Sequence, residues 1–523
     1  MYVDRRVLAL LLLLAATTAG ACRGMKARVN TDYLLRHEVY RSRAFAREPY
    51  LFEVRDTRAE VICRSFDRVP PRLLISPFTA RMTQAWERRL VELDDPEQRR
   101  LASVGLPSRL PLWQHHVTLS GLEPRTPYSV KIATGEEEVE LLVRTLPKLG
   151  GEPSPADMIS FLVLGNTGTG SDEQLTVAQA VAESFEKPRG LARGVDFIVH
   201  TGDMVYDKGA AADYEARFFA PYREVLRRTP IYSVVGDRDV RSWGGAAYFE
   251  AFPRGSLKQP YWRMNLGPVE LLGCDTTAIG HYANQEFGKP SQDDLRDPGR
   301  QQLWLDRTLA KPTAAWRFLV LHDPALSGGV GAGSASLSGA RAAKKLRRAL
   351  RHVFGRVQFI LQGQDPHYER SVPIAHSWIA GDGGIEIPSW AQGAGFGMES
   401  HARRRRVDLG QRTVALVQGA GGGEVGDTVL ARAGWGAAWL LGLPLGSPLW
   451  LSYFPVGPDW VDPGFAWIDR AAVCYSVTRF DVRLGTTRLR TWTIDPVSGK
   501  ALLADDVTYR RKKKQAAAPK SGG

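Results

Sequence analysis

The chain has 523 residues, of which 44% are hydrophobic, and it carries 69 Lys and Arg residues against 56 Asp and Glu, a formal net charge of +13. This length and apolar content predict two domains, each with a full hydrophobic core, and exclude a chain that buries no apolar surface. Much of the positive charge lies in residues 403–406 and 510–514. No nucleic-acid-binding motif accompanies these runs, so no nucleic acid is expected as a partner. The basic runs therefore either form a solvated face of the protein or bind an anionic lipid or polymer.

The first 22 residues predict an export signal. Arg5 and Arg6 precede an apolar run over residues 7–16, and small residues then lead to Cys22. This ending resembles the lipobox of bacterial lipoproteins. The resemblance implies a lipid on Cys22 that anchors the protein to a membrane of the cell envelope, facing the periplasm or exposed at the surface. By resemblance to the sorting of enterobacterial lipoproteins, Arg23 at the next position implies the outer rather than the inner membrane. An ordinary signal peptide with a chance cysteine is the alternative.

A β module is predicted over residues 49–147, after a tether over residues 23–48. Apolar and polar residues alternate there, and turn residues such as Gly135 separate the runs. The segment from Leu122 to Tyr128 reads L-E-P-R-T-P-Y, which resembles the tyrosine corner of fibronectin type III domains. The resemblance implies an all-β sandwich with a long charged insertion over residues 81–111. Residues 148–157, rich in Gly and Pro, are the predicted linker.

Beyond the linker, five short apolar runs each end in a polar motif. The motifs are, in chain order, G-N-T-G at 165–168, G-D-M-V-Y at 202–206, G-D-R-D at 236–239, H-D-P at 322–324 and G-Q-D-P-H-Y-E-R at 363–370. Helices are predicted over residues 175–185, after a capping box from Ser171 to Gln174, and over residues 340–354. Strands followed by helices predict an α/β sheet with the motifs beyond the carboxyl ends of its strands.

These five motifs resemble, in order, the signatures of the calcineurin-like metallophosphoesterases and of the purple acid phosphatases among them. The family patterns are G-D-x-G, G-D-x-x-Y, G-N-H-D, H-x-P and G-H-D-H-H-Y-E-R. The resemblance covers residues 158–510 and implies an αββα four-layer sandwich. Plant purple acid phosphatases also carry a fibronectin-like module in front of this domain. The last stretch, residues 511–523, is a predicted disordered basic tail.

The same resemblance assigns metal-ligand positions. It implies Asn166, Asp203, Tyr206 and Pro366 for a first metal, and Asp203, Asp237, His322 and Gln364 for a second. Proline has no side-chain donor, and glutamine suits calcium, magnesium or manganese better than zinc. At most one weakly bound divalent cation is therefore expected, and not a dinuclear iron or zinc centre. His367 is one residue out of register with Pro366, so on a strand it would point the other way.

Two functional hypotheses follow for the site. Arg238 replaces a family histidine that contacts phosphate; arginine binds phosphate well but stays charged and cannot act as a general acid. The favoured hypothesis is a pseudo-phosphatase that binds an anionic ligand or a partner protein, with Arg238 and His322 at the catalytic positions. The alternative is an active phosphoester hydrolase using one weak metal at Asp203, Asp237, His322 and Gln364. By themselves, the two aspartates could also be loop caps and His322 a structural histidine.

Residues 433–458 form an uncharged segment that contains several tryptophans, including Trp435, Trp439 and Trp450. Its glycines and prolines argue against a membrane-spanning helix. The segment is either an interfacial membrane loop or, as we favour, a cover packed on its own domain or an oligomer contact.

Three cysteines remain besides Cys22, namely Cys63, Cys274 and Cys474. Three thiols cannot all pair, and none lies in a metal-binding pattern. Buried free thiols are favoured, while one disulfide is compatible with an exported protein.

Overall fold

The structure is a computed structural model that describes residues 44–511 apart from 92–110, 150–156, 207, 257–258, 279–294, 296–298, 312–313, 328–336, 387–404, 422–467 and 473–474. The expected signal peptide with Cys22, the segment 433–458, Cys474 and nearly all of the basic tail lie outside the described residues. Within them, no helix is long and apolar enough to cross a membrane. Cys63 and Cys274 are both buried free thiols.

The described part of the N-terminal module consists of β-strands and the turns that connect them. The strands are β1 (Phe45–Val54), β2 (Arg58–Ser65), β3 (Arg72–Ser76), β4 (Thr83–Val91), β5 (Leu112–Ser120), β6 (Pro127–Thr134) and β7 (Glu137–Arg144). One sheet has the order β1-β2-β5-β4 and the other the order β3-β6-β7, and all their pairings are antiparallel. Their inward-facing side chains form one apolar core that includes Val61, Val117 and Val130. The strands are consistent with the predicted all-β sandwich.

The tyrosine corner predicted from the sequence is present. The hydroxyl of Tyr128, at the start of β6, accepts a hydrogen bond of 2.7 Å from the backbone N–H of Glu123. The expected insertion over residues 81–111 needs a correction, because its first part is strand β4, which pairs along its whole length with β5. With β4 beside β5, the strand order is that of a constant-type immunoglobulin sandwich. A fibronectin type III classification therefore stays a prediction.

The second domain alternates strands and helices. Its strands are β8 (Ile159–Leu164), β9 (Phe197–His200), β10 (Ile231–Ser233), β11 (Trp262–Leu266), β12 (Val269–Gly273), β13 (Trp316–Val320), β14 (Phe359–Gln362), β15 (Tyr368–Ser371), β16 (Ile374–Ala375), β17 (Arg405–Asp408), β18 (Arg412–Gln418), β19 (Ile468–Ala472), β20 (Ser476–Val482), β21 (Thr486–Ile494) and β22 (Ala501–Arg510). Its α-helices are α1 (Asp172–Ser184), α2 (Ala211–Tyr214), α3 (Ala220–Leu226), α4 (Ala246–Ala251), α5 (Arg300–Ala310) and α6 (Leu337–Ala349).

The strands form two mixed sheets packed face to face. One has the order β10-β9-β8-β20-β21-β22-β17 and the other the order β11-β12-β13-β14-β18-β15-β19, with β16 paired to β18. A core of aromatic side chains, among them Phe161, Phe318 and Phe480, fills the space between the sheets. A second apolar cluster packs α1 and α3 on the outside of the first sheet, and a third packs α5 and α6 on the other. These layers are the αββα sandwich that the sequence led us to expect.

Local sequence signals account for the helices that flank the site. Helix α1 begins where predicted, since the hydroxyl of Ser171 caps it by accepting from the backbone N–H of Gln174. The side chain of Gln174 does not complete the box; its oxygen accepts from the backbone N–H of Gly170 instead. Helix α6 begins at Leu337 and is followed by a 3₁₀ turn over Arg351–Val353, close to the predicted 340–354.

The β module is joined to the α/β domain through a buried ionic cluster. Arg47 donates from Nε to Oε1 of Glu215 at 2.8 Å, and Arg64 reaches the same oxygen at 3.2 Å. Arg64 also lies 3.2 Å from Glu250. Apolar side chains of β1 and β2, such as Tyr50 and Ile62, belong to the same apolar cluster as side chains of α1 and α3. The module is therefore packed directly against the layer that carries half of the site.

Candidate functional site

The five motifs meet at the carboxyl edges of the two sheets. β8, β9 and β10 are parallel, with Leu164 beside His200 and His200 beside Ser233, so the loops that follow them emerge together. β13 and β14 are parallel in the other sheet, with Val320 beside Leu361. Each motif begins within three residues of such an end, because an apolar strand must give way to polar loop residues at the sheet edge.

Three of these loops turn through left-handed backbone conformations. Asn166 has φ 52°, Asp203 has φ 54° and Gln364 has φ 61°. Such values are uncommon for residues with a side chain, and they persist where the surrounding structure holds them in place. Of the four described non-glycine residues with positive φ, three are at expected ligand positions; Arg125 is the fourth. The strain supports a functional role for this edge of the domain.

The centre of the site is a cluster of Asp203, Asp237 and His322, whose ligand atoms all lie within 4.8 Å of one another. Nε2 of His322 is 3.3 Å from Oδ1 of Asp203 and 3.4 Å from Oδ1 of Asp237. All three residues are buried. The cluster therefore assembles three of the four second-metal positions that the family resemblance implied; the fourth, Gln364, follows Gly363, whose backbone N–H donates to the carbonyl oxygen of His322 at 2.9 Å.

The orientation of His322 follows from its other ring nitrogen. Nδ1 lies 2.9 Å from the carbonyl oxygen of Thr201, which can only accept, so Nδ1 carries a proton and Nε2 faces the carboxylates. Burial alone would lower the pKa of His322, but the charge of Asp203 and the hydrogen bond to Asp237 outweigh it and raise that pKa well above its usual value. Gly202 permits this approach, because a Cβ there would lie 2.6 Å from Nδ1.

The carboxylate of Asp203 is held by backbone. Its Oδ1 accepts a hydrogen bond of 2.9 Å from the N–H of Arg238, which ties the second motif to the third. Burial and the nearby charge of Asp237 raise the pKa of Asp203 to about 6. A Cβ on Gly236 would lie 2.4 Å from Oδ1 of Asp203, so glycine is required for this packing.

Two arginines accompany the carboxylates. Nη2 of Arg241 lies 2.6 Å from Oδ2 of Asp237, and Nε of Arg238 lies 3.7 Å from the same oxygen and 4.0 Å from Oδ2 of Asp203. The Arg238 guanidinium also lies 5.2 Å from the ring centre of Tyr206. The side chain of Arg238 is 26% exposed, against 11% for Arg241 and 0% for His322. Arg238 is thus the charged group of the cluster that solvent reaches most easily.

Asn166 and Gln364, two of the expected ligand residues, each have a buried side-chain oxygen. The amide nitrogen of Asn166 donates to the backbone carbonyl of Gln364 at 2.9 Å, which joins the first motif to the fifth. The side-chain oxygens of both residues, Oδ1 of Asn166 and Oε1 of Gln364, are buried and have no hydrogen-bond partner. Such orphaned buried oxygens are costly, and a bound cation or water is a usual explanation.

The remaining expected ligands are less suited to a metal. Burial and the charge of Asp203 raise the pKa of the Tyr206 phenol well above its usual value, which keeps it protonated. His367 does not turn toward the cluster, since its Nε2 lies 3.0 Å from a carboxylate oxygen of Glu369. It therefore does not replace the donor that is missing at Pro366.

Sequence reasoning missed two residues of the site. Asp239 accepts hydrogen bonds from the backbone N–H groups of Met204 and Gly236 and from the hydroxyl of Tyr214, so it joins the second and third loops. Its place as the last letter of the third motif could have indicated this role. Arg241 was also overlooked, although it stands four residues after Asp237, a spacing that often allows an ion pair.

The donor set fits one hard cation and not two. Carboxylates of Asp203 and Asp237, the imidazole of His322 and the orphaned oxygen of Gln364 suit magnesium, manganese or calcium. The proton on Nδ1 of His322 is donated to a backbone carbonyl, as is usual for a metal-ligating histidine. A second cation would lack a donor at Pro366.

Comparisons with known proteins agree with this fold. Residues 159–363 match the family model described as calcineurin-like phosphoesterase. Purple acid phosphatase 17 of Arabidopsis thaliana is 26% identical over 186 residues, which cover 33% of this chain and 54% of that protein. Purple acid phosphatase 7 of the same plant is 28% identical over 186 residues, covering 31% and 53% respectively. The chain spans about half the length of these curated relatives.

Two solved structures are similar over most of this chain. Purple acid phosphatase PPD1 from yellow lupin (Lupinus luteus) seeds has a TM-score of 0.58 at 14% identity, covering 89% of this chain and 74% of its own. PhoD has a TM-score of 0.52 at 13% identity, covering 92% and 94%. At these identities the likeness establishes the fold alone. The family match over residues 159–363 and the shared fold support the metallophosphoesterase superfamily for the α/β domain.

Proposed function

We propose that this protein is a pseudo-phosphatase of the metallophosphoesterase superfamily, which binds a phosphorylated or otherwise anionic ligand beside the Asp203–Asp237–His322 cluster. The observation that carries the proposal is the position of Arg238. Its guanidinium is the most exposed charged group of the cluster and lies within 4.0 Å of both aspartates. An anion that enters the site meets this guanidinium first, and arginine can bind phosphate through two parallel hydrogen bonds.

The same residue supports impaired catalysis. Two-metal phosphoesterases rely on cations to stabilise charge on the phosphoryl group, and here two guanidiniums stand beside the carboxylates instead. They attract an anion without lowering the pKa of a water molecule. Arg238 also cannot give a proton to a leaving group, because an arginine guanidinium stays charged at neutral pH. Binding without efficient turnover is the expected result.

A hydrolase that uses one divalent cation is the second candidate. It is favoured by the orphaned oxygens of Asn166 and Gln364, which lie at expected ligand positions. In that case Asp203, Asp237, His322 and Gln364 would hold the ion, which would polarise the phosphoryl group and activate water. Arg238 would orient the phosphate, and Thr201 would keep Nε2 of His322 directed at the carboxylates.

We further propose that a lipid on Cys22 holds the protein in the bacterial cell envelope, with the outer membrane favoured. The support is the signal-like sequence that ends at Cys22. An envelope location would place the site near anionic lipid headgroups.

The proposal is tested by titrating the full-length, detergent-purified protein with inorganic orthophosphate and with phenyl phosphate in a calorimeter. Arg238→Gln should weaken both affinities by about ten- to a hundredfold, since a hydrogen bond to a charged group contributes about 1.5–3 kcal/mol. Arg189→Gln is the matched control, because Arg189 is exposed, lies outside every motif and lines a different groove, with Thr176 and Trp492. Equal affinities in Arg238→Gln and the unchanged protein would reject the anion site.

Activity and metal content separate the two candidates. A pseudo-phosphatase should show no metal-dependent hydrolysis of p-nitrophenyl phosphate above background, and well under one tightly bound iron per chain. If turnover with Mg²⁺ or Mn²⁺ appears and is lost in both Asp203→Ala and His322→Ala, the single-cation hydrolase is correct. Stoichiometric iron with a visible charge-transfer band would contradict both candidates.

A further inference from the structure

The two oxygens of the Asp237 carboxylate have different partners. Oδ1 faces Nε2 of His322 at 3.4 Å, on the side of the cluster where Asp203 also lies. Oδ2 is bound by Nη2 of Arg241 at 2.6 Å. Arg241 is nearly buried, with 11% of its side chain exposed, and it approaches from the turn that follows the third motif. This guanidinium is therefore a fixed feature of the site.

We infer that Arg241 is a built-in counter-ion of Asp237 that sets the divalent-cation affinity of the cluster, and so decides which of the two candidate functions the site performs. The inference rests on the proposed location of the site. It goes beyond that proposal because it gives one residue, outside the five family motifs, control over cation binding.

The charges of the cluster explain the effect. The carboxylates of Asp203 and Asp237 lie beside the guanidiniums of Arg238 and Arg241, so a divalent cation that enters the cluster meets two fixed positive charges as well as its carboxylate ligands. Without Arg241 the cluster would carry one positive charge fewer. For a divalent cation about 6 Å from the guanidinium, and an effective dielectric constant between about 80 and about 20, this difference strengthens cation binding by roughly tenfold to ten-thousandfold.

The two arginines differ in what they can touch. Arg238 is 26% exposed, approaches both aspartates at 3.7–4.0 Å and can meet an anion that arrives from solvent. Arg241 is less exposed and makes a short ion pair with Asp237. Removal of Arg241 should therefore act mainly on cation binding, through the carboxylate it holds.

The test is a Mn²⁺ titration of the full-length protein after chelator treatment, with free Mn²⁺ measured by electron paramagnetic resonance. Arg241→Gln removes the charge and Arg241→Lys keeps it, which makes the lysine variant the matched control. Arg241→Leu is a second neutral variant in case the glutamine substitution disturbs folding, which circular dichroism and thermal unfolding would report. Adding Asp203→Ala to the glutamine variant tests where the ion binds.

Arg241→Gln and Arg241→Leu should each bind one Mn²⁺ at least tenfold more tightly than the unchanged protein. The affinity of Arg241→Lys should stay within about threefold of that of the unchanged protein. Asp203→Ala should abolish the gain. The inference is wrong if both neutral variants bind Mn²⁺ no more tightly, if the lysine variant gains as much, or if the gain survives Asp203→Ala. It is equally wrong if neither neutral variant folds, because Arg241 would then be a structural counter-ion. The orthophosphate titration of Arg238→Gln tests the proposed function separately.

Discussion

The ion cluster between the β module and the α/β domain gives the sharpest stability prediction. Glu215→Gln removes the carboxylate that serves both Arg47, 1% exposed, and Arg64, 4% exposed. Glu250 remains 3.2 Å from Arg64, so Arg47 bears most of the loss. An ion left buried without its partner costs about 3–5 kcal/mol, and we expect a decrease of that size in the free energy of unfolding.

The assay is urea denaturation of the full-length protein, because urea does not screen charges, followed by tryptophan fluorescence and circular dichroism together. Glu183→Gln is the matched control: Glu183 pairs with Lys187 at 3.0 Å, but their side chains are 50% and 63% exposed. This exposed pair should contribute less than about 1 kcal/mol. If Glu215→Gln destabilises the protein no more than Glu183→Gln does, the buried cluster does not join the domains as described.

Three further predictions concern separate parts of the chain. Tyr128→Phe leaves the N–H of Glu123 without its acceptor and should lower the free energy of unfolding by about 1–3 kcal/mol in urea denaturation; no measurable change would contradict the tyrosine corner. Burial holds the pKa of His200 at about 3, so the unfolded chain binds the extra proton below about pH 6.5. Stability should then fall as pH decreases from about 6.5 toward 3, with a slope of at most about 1.4 kcal/mol per pH unit from this group, and His200→Gln should remove that part; an unchanged profile in this variant would reject the assignment. Cys22→Ser should release the protein from membranes or leave its signal uncleaved, as judged by fractionation and immunoblotting, and a processed protein that stays on membranes would require another lipid contact.

Much of the site could be predicted from the sequence, because each motif directly follows an apolar strand. An apolar run that ends in Gly and a polar residue specifies both the strand and the position of the loop at the sheet edge. Asp203, Asp237 and His322 were expected together on this ground and on the family resemblance, and they lie within 4.8 Å of one another. The changed residues at Arg238, Gln364 and Pro366 could also be read directly, since a ligand position without a donor is evident from residue type alone.

The contacts that control the site could not be predicted, because they join residues far apart in the chain or depend on one choice of rotamer. The sequence does not tell which oxygen of Asp237 is held by Arg241, or that the amide of Asn166 binds the backbone of Gln364, 198 residues away. Those pairings depend on how tightly five loops pack. That packing requires glycine at 202 and 236, because the side chains of His322 and Asp203 approach these two positions closely.

The sequence by itself determined the five strands that end in motifs, helices α1 and α6, the motif loops and the residue types available for chemistry, since these depend on local periodicity and on side-chain identity. Only the tertiary structure decided that β20, from the end of the chain, pairs antiparallel with β8 beside the first motif, and that Arg47 reaches Glu215 across the domain boundary. The physical reason is that such long-range pairings are selected by the free energy of packing the whole molecule, which cannot be evaluated from any single segment of the sequence. The balance of charge around Asp203 and Asp237, on which the proposed function depends, belongs to this second group.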